Sequence, residues 1–179
     1  SIYEALNHGG IAHKCKVNVV RVLAEDVQEE GPEEPLKDVD GILVPGGFGS
    51  RGIEGKIDSI QYARENKVPF FGICLGLQCA AVEIARNLCE LPEADSTEIN
   101  PDTPDPVICL LEEQKDVVQK GASMRLGAYP CRLSKKTFAR AAYDDELIQE
   151  RHRHRYEFNN NYLDVFEENG VVFSGIYPE

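Results

Sequence analysis

Within five residues, Gly72-Ile73-Cys74-Leu75-Gly76, the chain passes from a strand pattern to a helix pattern. Val68 to Ile73 is an apolar run of strand length. Leu75 to Leu88 carries Ala80, Ala81, Ile84 and Leu88 at helical spacing and predicts a helix. A strand that turns at once into a helix needs small neighbours, and glycine stands two positions away on each side of Cys74. The pattern is that of a nucleophile elbow, with sulfur replacing a serine hydroxyl. The turn strains the nucleophile's backbone and sets the sulfur at a helix N-terminus. Unpaired N–H groups and the helix dipole there lower a thiol from its ordinary pKa of ~8.5. The N–H of Leu75 would face a developing oxyanion. The competing reading is a buried cysteine packing as a small hydrophobe.

Strand and helix patterns alternate around this junction. Ser1 to Leu6 reads as the end of a helix stopped at His8-Gly9-Gly10, and Lys16 to Leu23 as a β-branched strand. Glu25 to Asp40 reads as loop with a short helix, and Gly41 to Val44 as a buried strand. Ile53, Ile57, Ile60 and Ala63 mark one face of a helix ending near Asn66. Polar Glu90 to Pro106 reads as a long loop. Strands are expected at Val107 to Leu111, Arg125 to Pro130, Arg153 to Phe158 and Val171 to Ser174, with helices at Lys135 to Arg151 and Tyr162 to Glu168. Such alternation predicts an α/β fold, a mostly parallel sheet with helices on both faces. With 179 residues, one domain is expected over 1–179. A doubly wound sheet usually starts with a strand, whereas this sequence opens in helix and stops just after a strand. The expectation is a piece truncated at both ends.

Composition narrows the function classes. Hydrophobic residues make up 42%, enough for a core, and no apolar run approaches the ~18 residues of a membrane helix. No basic region followed by a hydrophobic stretch opens the sequence, so no signal peptide is read. The net charge of −12 argues against nucleic-acid and anionic-membrane partners. Cys15, Cys74, Cys79, Cys89, Cys109 and Cys131 form no Cys-x-x-Cys pair and no metal motif. Scattered through apolar segments, they read as reduced thiols of a cytoplasmic protein.

Two further segments carry chemistry. Gly47, Gly49 and Gly52 satisfy G-x-G-x-x-G after a strand. The dinucleotide reading wants an acid ending the next strand, but that strand ends at Cys74. A glycine loop whose bare N–H groups face a substrate carbonyl is the better reading, with a plain turn behind it. In Arg151-His152-Arg153-His154-Arg155-Tyr156-Glu157, strand alternation would put three arginines on one face and two histidines on the other. An arginine face suits a carboxylate or phosphate; pairing with the chain's own acids is the equal alternative.

Pro45 to Gly49, Gly72 to Gln78 and Glu150 to Glu157 together resemble the class I glutamine amidotransferase family, over almost the whole chain. The Arg-His-Arg-His-Arg-Tyr-Glu run, with Arg125-Leu126-Gly127 before it, is similar to the CTP synthase branch. The resemblance implies a flavodoxin-like three-layer fold and hydrolysis of L-glutamine to glutamate and ammonia. The ammonia would pass to a synthetase domain of the same enzyme, which aminates ATP-activated UTP to CTP. It implies Cys74 as the thioester-forming nucleophile and Gly46, Gly47 and Leu75 as oxyanion donors. Gly47, Leu75, Gln78, Glu98, Arg155 and, less directly, Arg153 would bind glutamine, with Glu98 on its ammonium and Arg155 on its carboxylate. The domain would need no cofactor; ATP and Mg would bind the synthetase domain, in a homotetrameric full-length enzyme. The family completes its triad with a His-Pro-Glu, which is absent here; Tyr177-Pro178-Glu179 is a coincidental match, since the family has another strand and a hairpin before its histidine, and His8, His13, His152 and His154 lie elsewhere. The synthetase domain and the family's first strand are also absent. A missing acid–base group is normally worth ~10²–10⁴-fold in rate. The alternatives are another cysteine hydrolase with a nucleophile elbow, and a binding or regulatory module without turnover.

Overall fold

The computed structural model describes residues 1–110 and 125–178. Backbone contacts divide the chain into two compact units, Ser1–Ala80 and Ala81–Glu179.

The first unit opens with α1 (Ile2–Ala12), which runs on through Gly9 and Gly10, where a stop was expected. A Cβ on Gly10 would lie 2.8 Å from the Cys15 carbonyl oxygen and 2.9 Å from Val17 Cγ2. Glycine at 10 therefore serves close packing, and the chain turns later, at Lys14 with φ +56°. The strand expected over Lys16–Leu23 does not form. A β-branched run favours extended backbone, but a strand needs a hydrogen-bonded neighbour, and residues 16–22 make no backbone–backbone hydrogen bond among the described residues. The acidic stretch that follows holds two short helices, α2 (Ala24–Glu30) and α3 (Glu33–Leu36). Pro32 and Pro35 fit at the start of α3 because the first N–H groups of a helix have no internal partner.

β1 (Ile42–Val44) and β2 (Phe70–Gly72) pair in parallel, Ile42 opposite Phe70 and Val44 opposite Gly72. Between them α4 (Ile53–Glu65) buries Ile53, Ile57, Ile60 and Ala63, the stripe that the spacing predicts. A Cβ on Gly55 would sit 1.8 Å from the Ala24 carbonyl oxygen. Any side chain at 55 would push α4 off the first turn of α2.

α5 (Leu75–Asn87) begins in the first unit and ends in the second. Its buried residues are Leu75, Gly76, Cys79, Ala80, Ala81, Val82, Glu83 and Ala85; Ile84 is half-buried and Leu88, beyond its end, is 36% exposed. Two of the four expected core positions therefore lie off the buried face. Glu83, fully buried, accepts a 3.0 Å hydrogen bond from Asn87 Nδ2.

In the second unit the expected Glu90–Pro106 loop contains β3 (Ala94–Ser96), parallel to β4 (Asp105–Leu110). Its sequence hides it: Asp95 and Ser96 are polar yet buried, with Asp95 3.5 Å from Arg86 Nη2. The last residue of the predicted Val107–Leu111 strand, Leu111, lies outside the described residues, as does Glu179. β5 (Arg125–Leu133) pairs antiparallel with β6 (Leu147–His154), from Arg125 opposite His154 to Arg132 opposite Leu147. The helix expected over Lys135–Arg151 is only α6 (Phe138–Tyr143); it ends at Asp144, φ +52°, and Leu147–Arg151 enter β6. β7 (Tyr156–Phe158) returns antiparallel to β4. A 3₁₀ turn at Asn160–Tyr162 leads into α7 (Leu163–Glu168), close to the expected helix. The final strand is β8 (Gly175–Ile176) beside β5, not Val171–Ser174. Phe166, 1% exposed, packs edge-on against Phe158 with ring centroids 5.0 Å apart and centres this core with Phe173. Among the described residues, pairing is parallel in β1–β2 and β3–β4 and antiparallel in the other pairs.

Candidate active site

The junction after β2 is as tight as its glycines demand. A Cβ on Gly72 would meet Gly76 backbone atoms at 2.6 Å. One on Gly76 would lie 2.1 Å from the Val44 carbonyl oxygen. Strand and helix backbones thus touch each other and β1, and only glycine fits either position. Ile73 N–H donates to the Val44 carbonyl at 2.9 Å, and Gly76 N–H to the Ile73 carbonyl at 3.0 Å. Cys74, between them, takes φ +55°, a left-handed conformation costing a non-glycine residue about 1–2 kcal/mol. Its thiol is half-buried. Cys74 caps α5 with its carbonyl, which accepts a 3.1 Å hydrogen bond from Gln78 N–H. The amide of Leu75 belongs to the first turn, where N–H groups lack intrahelical partners.

The loop after β1 lies on this turn. A Cβ on Gly46 would be 3.3 Å from Cys74 Cβ and 3.8 Å from its Sγ; one on Gly47 would be 3.2 Å from Leu75 Cδ2. The structure therefore brings Gly46, Gly47, Cys74 and Leu75 together, with Gln78 one helical turn along. Further on, Gly49 and Gly52 have φ +82° and +63°. Lys56 Nζ ties that end down, donating to the carbonyls of Arg51 at 2.7 Å and Gly52 at 3.1 Å, and Arg51 pairs with Glu25. That arrangement can hold a thiol, strained and half-covered, beside bare backbone amides.

The second unit holds the charged candidates. Glu98 is half-buried in the turn after β3, where its N–H donates to Ser96 Oγ at 3.2 Å. The three arginines of the basic run do not share one environment. Arg151 and Arg153 are exposed on β6, His152 and His154 half-buried on its other face. Arg155 falls in the bend between β6 and β7; it is half-buried, its Nε is shielded from solvent, and its guanidinium lies 5.8 Å from the centre of the Tyr156 ring. The bend breaks the alternation that would have aligned it with Arg153, and this corrects the single arginine face.

Sequence reasoning missed a cluster beside Arg155. Arg125 Nη1 lies 2.9 Å from Glu157 Oε2, and its guanidinium is 5.1 Å and 5.3 Å from the rings of Tyr129 and Tyr177. Burial pushes the Glu157 carboxyl up from its ordinary value, and the opposing pull of Arg125 does not cancel it. Among the described residues, Glu157 Oε1 is buried without a hydrogen-bond partner. His152 and His154 approach with Nδ1 atoms 3.2 Å apart, a contact that needs one donor and one acceptor. Burial pushes both imidazoles down; Arg125 adds to it at His152, and His152 and Arg125 at His154. The β5–β6 register, which opposes Arg125 and His154, builds this cluster, and no spacing within either strand announces it.

A family model described as glutamine amidotransferase class-I matches residues 1–177. The CTP synthase of Caldanaerobacter subterraneus subsp. tengcongensis is 57% identical over 179 residues, which are all of this chain and 33% of that relative. The CTP synthase of Halalkalibacterium halodurans is 58% identical over the same length, 34% of its own. The chain thus spans about a third of the curated relatives it matches. A solved structure described as the Trypanosoma brucei CTPS glutaminase domain with bound acivicin superposes with a TM-score of 0.90 at 32% identity, covering 98% of this chain and 68% of that one. The strand-to-helix thiol turn and its glycine loop thus stand within a class I amidotransferase fold of mixed α/β build, and the chain belongs to the class I glutamine amidotransferase family.

Proposed function

We propose that the chain is the glutaminase domain of a CTP synthase, and that Cys74 cleaves the side-chain amide of L-glutamine. The observation that carries this reading is the strained Cys74, φ +55°, with Gly46 packed against it. Sγ attacks the amide carbon, and the N–H groups of Gly47 and Leu75 hold the negative oxygen. Ammonia leaves with a proton, a glutamyl thioester remains, and water releases glutamate. Glu98 takes the substrate ammonium and Arg155 its carboxylate, with Gln78 a further contact. The exposure of Arg153 makes it the weaker carboxylate ligand. The proton for the departing ammonia and the second water step are assigned to the rest of a longer polypeptide. There a synthetase domain, using ATP and Mg, would spend the ammonia on UTP.

The test is labelling with a glutamine-mimicking diazoketone, followed by intact mass and peptide mapping. One adduct on the Cys74 peptide, blocked by excess glutamine, is expected. An adduct on another cysteine, indifferent to glutamine, would overturn the reading.

A further inference from the structure

The glycine loop after β1 must hold its N–H groups still if they are to meet an oxyanion, and its own residues give it little to hold with. Gly46, Gly47 and Gly49 carry no side chains, and among the described residues none of the three makes a backbone–backbone hydrogen bond. The loop is therefore placed by its two ends. One end is β1, whose Val44 carbonyl accepts from Ile73 N–H at 2.9 Å. The other is the turn at Arg51 and Gly52, and there an ammonium does what a partner strand does for β1. Lys56 Nζ donates to the Arg51 and Gly52 carbonyls at 2.7 Å and 3.1 Å, and the backbone N–H of Lys56 also donates to Gly52, at 3.1 Å. Helix preference does not account for a lysine here. Lys56 lies in the first turn of α4, where the helix dipole disfavours a cation. Its stem runs back toward the helix start, as helical side chains do, and carries the charge onto carbonyls that precede the helix. Glu25 of α2 completes the arrangement. It pairs with Arg51, and a Cβ on Gly52 would lie 3.4 Å from both Glu25 Oε2 and Lys56 Nζ. Buried Gly52, at φ +63°, leaves open the space in which these charges converge.

We infer that Lys56 is a positioning residue for glutamine cleavage: by clamping the Arg51 and Gly52 carbonyls, it fixes the loop that carries the Gly46 and Gly47 amides beside Cys74. The inference rests on the glutaminase reading and adds to it a residue that acts only through the loop. Amides aimed at an oxyanion contribute most in the transition state, where the negative charge exists. Loosening them therefore costs turnover and leaves substrate affinity nearly untouched. The thiol itself is held by other contacts, the Gly72 and Gly76 backbones and the Val44 carbonyl, so its own reactivity does not depend on the clamp.

The test compares ammonia release from glutamine by the polypeptide as its gene encodes it and by its Lys56→Met variant. Methionine keeps most of the stem and removes the donors. Outright loss of one oxyanion donor costs ~10²–10³-fold in kcat, so a loosened loop should cost at least ~10-fold. KM should stay within ~2-fold. Iodoacetamide is the second readout: the Cys74 thiolate forms a carbon–sulfur bond as iodide leaves, and no oxyanion develops. Cys74 should therefore be alkylated at the parent rate, and buried Cys79 should stay unlabelled. Lys56→Arg, which keeps a cation with N–H donors, should lose less turnover than Lys56→Met. An unchanged kcat, a rise in KM alone, or an arginine variant as slow as the methionine one overturns the inference. So does a slow variant with Cys79 labelled or Cys74 alkylated at a different rate, since either means damage to the fold. A parent polypeptide that releases no ammonia overturns the glutaminase reading and this inference with it; an active parent with an equally active Lys56→Met overturns the inference alone.

Discussion

Cys74 and its flanking glycines show how much one residue's backbone decides. Because φ is +55° at Cys74, glycine there relieves strain that alanine keeps. Cys74→Gly should therefore be more stable than Cys74→Ala by roughly 1 kcal/mol in urea unfolding, while neither takes the diazoketone. Equal stability of the two would mean the turn is relaxed. At Gly76 the opposite holds. An added Cβ meets the Val44 carbonyl at 2.1 Å, backbone against backbone, so Gly76→Ala should cost ~3 kcal/mol or more and remove the adduct with the fold. The Cys74 turn was readable from sequence because its chemistry is local: five consecutive residues fix it. Glu157 was not, because its partner Arg125 is 32 positions away and meets it only through strand pairing.

Elements record the same division. The stripe of α4 is local and came through from spacing alone: Ile53, Ile57, Ile60 and Ala63 are all buried, joined by Gly55 and Ser59. β3 and α6 did not. Two of three β3 residues are polar, buried by tertiary partners that propensity does not see, and the last five residues of the expected 135–151 helix became β6 because β5 offered them a hydrogen-bonding edge. The β5–β6 ladder also carries a pH dependence. His152 and His154 have folded pKa values below the ordinary 6.5, so on acidification the unfolded chain takes up protons first. Their contribution to stability is fully present above pH ~6.5 and is lost as pH falls through the folded values. Glu157 has the opposite sign: raised above 4.5, it favours the fold most below that value and less as pH climbs through its folded pKa. His154→Gln, which cannot titrate, should lose less stability between pH 7.5 and 5.5 than the parent chain. An identical loss would sever the pair from the pH response. In the other core, Phe166→Ala should cost about 3–5 kcal/mol in the same urea assay, since its ring is fully enclosed by Phe158 and Phe173.

For the whole molecule, charge is the one property the sequence states outright. A net −12 with 31 acidic residues makes the folded chain repel itself. Raising sodium chloride from 0.01 to 0.15 M shortens the Debye length from ~30 to ~8 Å and should raise the thermal midpoint. A midpoint that falls over this range would point to ion pairs such as Arg125–Glu157 outweighing the repulsion. Fold class was legible because alternation of strand and helix survives local errors. Pairing was less so: residues 16–22 have a strand's composition but pair with no strand among the described residues, and no pattern inside the segment reveals that.

The contact of Gly72, Gly76 and the Val44 carbonyl has a consequence for how such a chain can vary. Three backbones meet there without a side chain between them. A library randomised across the molecule would return most residue types at exposed Lys135 and almost nothing but glycine at 72 and 76. Nor could a residue be inserted or deleted between them, since either would carry the thiol off the loop that covers it. The spacing Gly-x-Cys-x-Gly is a ruler, fixed by the thickness of bare polypeptide.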